Sequence, residues 1–160
     1  MFCDGLDGTM EIQVLSSKRQ VLAFLAEMQA ILSAESFSPS RDFVFQMNRS
    51  TDAPDDEFTN ENTLLALNYD QSDVIAELRC LTVEDYSESM IDNQVPGAIK
   101  VFHVFGKQIQ GRQVYIKVRI KERAQAQHAR YVFCISFHFA RHPITAFPYR
   151  KNASSAAGQH

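Results

Sequence analysis

The sequence predicts an α+β domain, an antiparallel β-sheet meander packed on one face by N-terminal and central helices. Two observations predict it. Apolar residues follow helical spacing up to about residue 81, then alternate singly in three runs after residue 98. The runs are joined by connections of hairpin length or slightly more, which makes neighbours antiparallel. With 160 residues, 45% of them apolar and 12 of them Phe, one such domain can fill a sizeable core. No window approaches the roughly 18 consecutive apolar residues of a membrane span.

Taken in order, residues 1–15 read as a lead-in or a short strand over Glu11–Leu15. Ser17 to Gln20 has the form of a capping box ahead of Val21, Leu22, Phe24, Leu25, Met28, Ile31 and Leu32, one apolar helix face. Asp42–Gln46 is a short strand or an extended lead into a loop. Residues 50–59, acidic and proline-containing, form an exposed loop. Leu64, Leu65 and Leu67 mark a short helix. Val74, Ile75, Leu78 and Leu81 mark another, started near Asp70 or Ser72. Thr82, with Glu84 and Asp85 behind it, reads as a further helix N-cap. Residues 91–97 are a turn-rich connection. Lys100–Phe105, Gln113–Lys121 and Tyr131–Ala140 are the three strands. The expected domain spans 1–151, with 1–9 and 152–160 as flexible tails.

Charge divides the chain more sharply than its net value of −3 suggests. Residues 1–97 hold 5 Lys/Arg against 18 Asp/Glu, a balance of −13. Residues 98–160 hold 11 against the single acid Glu122, a balance of +10, together with all five histidines. A basic half points to an anionic partner, nucleic acid first. Mutual neutralisation of the halves within one fold explains the numbers equally well. Cys3, Cys80 and Cys134 are odd in number and lack metal-ligand spacing. With no basic start and apolar run at the N-terminus, they suggest a reducing, cytoplasmic setting.

Alternation assigns faces. Val114, Ile116, Val118 and Ile120 form an apolar row, which leaves Tyr115, Lys117, Arg119 and Lys121 opposite. In the last strand the bulky row is Tyr131, Phe133, Ile135, Phe137 and Phe139, opposite Val132, Cys134, Ser136, His138 and Ala140. With both bulky rows against the helices, the open face would show Tyr115, Lys117 and Arg119 beside Ser136 and His138. RNA cleavage by a ribose 2′-OH needs a proton acceptor, a proton donor and cations around the phosphate. His138 titrates near neutrality and can serve as acid or base. Lys117 and Arg119 can hold phosphate, and Tyr115 can stack or donate a hydrogen bond. The bland reading has equal chemistry behind it: a basic, Tyr-containing outer face is ordinary for an antiparallel sheet.

Three ordered segments carry a more specific signal: LTVEDYSESM, VFHVFGKQIQGRQVYIKVRI and CISFHFARHPITAFPYR. Together they resemble the motility quorum-sensing regulator (MqsR) family of type II toxins, in a divergent branch. The resemblance implies a RelE-like fold and a metal-independent, cofactor-free mRNA endoribonuclease. It implies two partners, mRNA (free or on the ribosome) and a cognate antitoxin protein, and no membrane. By position, the family's sheet tyrosine falls on Tyr115 and the lysine after its SF pair falls on His138. The lysine of its helix-end motif falls on Glu88, and its strand glutamine falls near Phe102 or His103. The implied catalytic residues are His138 and Tyr115, with Lys100, Lys117, Arg119 and His103 binding RNA. Glu88 for a lysine removes a phosphate partner, which leaves open a catalytically degenerate module that binds RNA or antitoxin. A further expectation is that the acidic segment 52–61 mimics nucleic acid and shields the basic sheet.

Overall fold

Ser17 opens the first helix as a capping box requires. Its hydroxyl accepts from the Gln20 amide at 3.1 Å, and the Gln20 side chain accepts from the Ser17 amide at 2.8 Å. The computed structural model describes residues 11–92, 100–124 and 129–151. In chain order they form β1 (Glu11–Val14), α1 (Lys18–Ser33), α2 (Pro39–Asp42), β2 (Phe43–Phe45), α3 (Asn60–Leu67) and α4 (Gln71–Arg79). Then follow β3 (Tyr86–Asp92), β4 (Lys100–Ile109), β5 (Arg112–Glu122) and β6 (Arg130–Phe139). Most of the turn-rich connection, part of the basic loop before β6 and both expected tails lie outside the described residues.

The four helices and a six-stranded sheet of order β1-β3-β4-β5-β6-β2 make the architecture α+β. All neighbours are antiparallel except β2, which runs parallel to β6. The meander is therefore wider than three strands. The segment after Thr82 is the largest correction to the sequence reading. Thr82 caps a single 3-10 turn, Val83–Asp85, and Asp85 reaches back to the Thr82 amide at 2.9 Å. The chain then becomes strand β3, because Tyr86, Ser89 and Ile91 continue a period-two pattern once one extra residue, Ser87, is allowed for.

Val21, Leu25, Met28 and Leu32 on α1, with Leu64, Leu67, Val74, Ile75 and Leu78 on α3 and α4, pack on Phe105, Ile109, Val114, Ile116, Val118, Phe137 and Phe139. Lys107 on the same face of β4 pairs with Glu77 of α4 at 2.8 Å. β4 and β5 turn through Gln110 and Gly111, both at positive φ (51° and 82°), as two-residue hairpins prefer.

A second extra residue sets the course of β6. Lys117 pairs with Ser136 and Val118 with Cys134, so Ile135 faces no residue of β5. The inward row therefore changes from even to odd numbers: Val132 and Cys134, then Phe137 and Phe139, are buried. Tyr131 and Phe133, expected inside, belong to the open face with Ser136 and His138. Beyond β2 the free edge of β6 is closed by side chains of α3. Asn60 donates to the Ile135 carbonyl at 3.0 Å and accepts from the Phe137 amide at 3.0 Å, and Thr63 accepts from the Phe139 amide at 2.9 Å. These bonds satisfy backbone groups that a strand would otherwise have to meet.

Residues after β6 cross the open face as a strap. The Gln113 side chain holds the backbone of Ile144 from both sides, accepting from its N–H at 2.7 Å and donating to its carbonyl at 3.0 Å. Ile144 and Phe147 lie over Gly106, where a Cβ would come within 2.9 Å and 3.0 Å of them. Tyr149 then stacks on Tyr86, ring centres 5.7 Å apart, and donates to the Ser16 carbonyl.

Candidate functional site

Tyr115 and His138 are direct partners across β5 and β6, and their rings stack with centres 5.2 Å apart and planes 16° from parallel. His138 Nδ1 lies 2.9 Å from the Phe139 carbonyl. A carbonyl can only accept, so Nδ1 carries the proton and Nε2 is the basic nitrogen of the neutral ring. Burial lowers the tendency of His138 to protonate; Arg49 and Arg141 lower it further, while the Phe139 carbonyl and Asp52 work the other way. The net shift is downward, so the ring is neutral at pH 7.

His138 also lines a cavity of about 190 Å³ between β6 and the acidic loop. Arg49, Asp52, Asp56, Ser136 and Arg141 share its wall. Arg141 bonds Asp56 at 2.6 Å, and Asp56 is held below the usual carboxylate range by the Phe58 amide and by Arg141. The loop also pairs Glu57 with Arg112 at 3.0 Å. Its shape is fixed from within: Asn62 donates to the carbonyls of Pro54 and Asp56, and Asp52 accepts from the Arg49 amide. The acidic segment thus stands at the His138 end of the sheet.

Lys117, Arg119, Lys121 and Arg123 lead away from that end, each against an aromatic ring. The Lys117 and Arg119 head groups lie 5.2 Å and 5.3 Å from the centre of Phe102. Lys121 lies 4.9 Å from Phe133, and Arg123 lies 4.0 Å from Tyr131. Phe102 and Phe133 meet edge to face with centres 6.4 Å apart. Lys117 is only 7% exposed. It lies in one cross-strand row with Val104 and Glu88, whose carboxyl is pushed up by burial and eased back by Lys117.

Of the residues singled out in the sequence, His138, Tyr115, Lys117 and Arg119 share the open face. Lys100 occupies the start of β4, paired with Asp92. It lies six residues, about 20 Å, along the strand from Gly106, the Tyr115 partner. His103 does not join them. It lies on the helix-covered face, buried, with its ring 4.2 Å from Phe24 and Nδ1 2.9 Å from the Ser89 hydroxyl. Burial pushes its imidazole down to about 4. Alternation within β4 sends Phe105 inward, and His103 must follow. Arg49 and Arg141 were not among the residues singled out. Arg141 is visible in the sequence three residues past His138, but nothing local marks Arg49, which reaches the cavity through a long loop.

Compared with protein-family models, curated proteins and solved structures, the chain finds no match.

Proposed function

We propose that the chain is an endoribonuclease that cleaves single-stranded mRNA at the His138 cavity, acting as the toxin of a toxin–antitoxin pair. The observation that carries this reading is the neutral imidazole of His138, its Nδ1 tied to a carbonyl, in a cavity it shares with Arg49 and Arg141. In the reaction, Nε2 takes the proton of a ribose 2′-OH and the 2′-oxygen bonds to the neighbouring phosphorus. The bond to the 5′-oxygen breaks, that oxygen takes a proton from water, and the hydroxide left takes the proton on Nε2, which returns the neutral imidazole. The products are a 2′,3′-cyclic phosphate and a 5′-hydroxyl. Arg49 and Arg141 hold the non-bridging oxygens, with phosphate displacing Asp56 from Arg141. Tyr115 keeps the imidazole plane in place by stacking. The resemblance of the three sequence segments to MqsR toxins, which implies the RelE-like variant of this α+β fold, supports the same assignment.

The test is incubation of purified protein with end-labelled single-stranded RNA. Wild type should yield fragments with cyclic-phosphate ends, and His138→Ala should cleave about 10²-fold more slowly or worse. Folded wild type that leaves RNA intact would overturn the nuclease assignment. The second reading, a binding module of the same fold, is favoured by Glu88. That carboxyl lies half-buried beside Lys117, where it offsets a cation that phosphate would use.

A further inference from the structure

The cation row on β5 has a period of its own. Lys117, Arg119 and Lys121 are alternate residues of one strand, so their backbone positions step about 6.7 Å along it. That step is close to the spacing of neighbouring phosphates in an extended single strand. Arg123 continues the row just past the strand, its guanidinium held by the Arg41 carbonyl. Rings interleave with the charges: Phe102, Phe133 and Tyr131 each lie against one or two of them. An acidic protein segment would satisfy the cations alone and has no use for the rings. An unpaired nucleic acid offers both phosphates and flat bases at every step. A duplex hides its base faces and gains only the charge term.

We propose that Arg119, Lys121 and Arg123, with the half-buried rings of Phe133 and Tyr131 beside them and buried Phe102 beneath, form a track for single-stranded RNA that leads away from the His138 cavity on one side. Buried Lys117, beside Glu88, adds field at the near end. The track rests on the nuclease reading for its starting point, and it makes the enzyme hold about four nucleotides to one side of the cleaved bond. Paired RNA is excluded by the need for exposed base faces.

The experiment is fluorescence anisotropy of the full chain with labelled oligouridylates of graded length at a fixed salt concentration. The probes carry 2′-O-methyl groups so that they bind without being cut. Affinity should rise with length and level off once the track is filled. Arg119→Ala with Lys121→Ala should weaken binding about tenfold or more and reduce the slope against log salt by about 1.4, near 0.7 per lost phosphate contact. Phe133→Leu, which keeps apolar bulk and removes the ring, should weaken it about fivefold. Wild-type affinity in the double variant overturns the track. So does equal competition by an RNA duplex or by oligoglutamate, the latter marking an acidic-protein surface instead. Cleavage of unmodified RNA separates the two proposals. Track variants that lose binding while wild type cuts nothing remove the nuclease and leave the track. Track variants that bind and cut normally remove the track and leave the nuclease.

Discussion

His103 and His138 occupy opposite faces of one sheet, and burial lowers the basicity of both. Each also has its Nδ1 hydrogen-bonded at 2.9 Å. What separates them is the surroundings. His103 ends a closed chain of hydroxyls: Ser89 bonds Tyr86 and Ser16 at 2.7 Å each, and Tyr86 accepts from the Ser16 amide at 2.9 Å. His138 opens on a cavity whose wall carries two guanidinium groups. A shifted imidazole is therefore not itself a sign of chemistry. The packed histidine has the larger shift, and the one facing cations and space is the better candidate for a base.

The contrast can be broken most directly by exchanging roles. His138→Ala should lower RNA cleavage by 10²- to 10⁴-fold while urea unfolding moves by less than about 1 kcal/mol. His103→Ala should do the reverse, costing about 3 kcal/mol through an emptied site and stranded hydroxyls, with cleavage per folded molecule kept. If both variants lost activity in proportion to stability, the two histidines would be the same kind of group. Next in size is a pH effect on His103. An unfolded chain takes up this proton near 6.5, whereas the folded chain resists it to about 4. Stability is thus complete above pH ~6.5 and falls by roughly 3 kcal/mol as pH drops toward 4. His103→Gln should flatten that slope in denaturation curves taken across the range.

Smaller effects sharpen the open face. Gly106→Ala should cost about 1–2 kcal/mol, because Ile144 and Phe147 must shift to admit the methyl group. Calorimetry on the variant would measure it, and an unchanged melting temperature would mean that the strap yields freely. Tyr115→Leu should slow cleavage about tenfold by loosening the His138 ring, with the acid limb of the pH–rate profile moved. That limb should lie below the ordinary histidine value in wild type, since activity falls only when the lowered imidazole takes up its proton.

Local signals in the chain were read well and global ones less so. The capping box at Ser17, the apolar spacing of α1 and the alternation of β5 are short-range patterns, and each formed as expected except at Leu22, which the turn of α1 carries round to the exposed side. Thr82 carried a true cap signal, but a cap does not set a helix's length, and tertiary pairing with β1 and β4 drew the next residues into a strand. The shared face of His138 and Tyr115 is legible because both lie past the change of period, in strands whose faces alternation can assign. His103 was misplaced because the register of β4 was not fixed by anything nearby. Arg49 was missed because its place depends on how a long loop folds back, held by Asn62 and Asp52.

Ser87 and Ile135 are each the odd residue in a strand pair. Loss of the Ile135 codon would restore one-to-one pairing between β5 and β6, with Val132, Cys134, Phe137 and Phe139 still inward and Ser136 and His138 still outward. The extra residue is therefore not what sorts the two faces of the strand. It builds part of the cavity, since Ile135 lines the wall beside Ser136, and it supplies the carbonyl that the Asn60 side chain meets. A shorter message would keep the sheet and take one wall from the cavity.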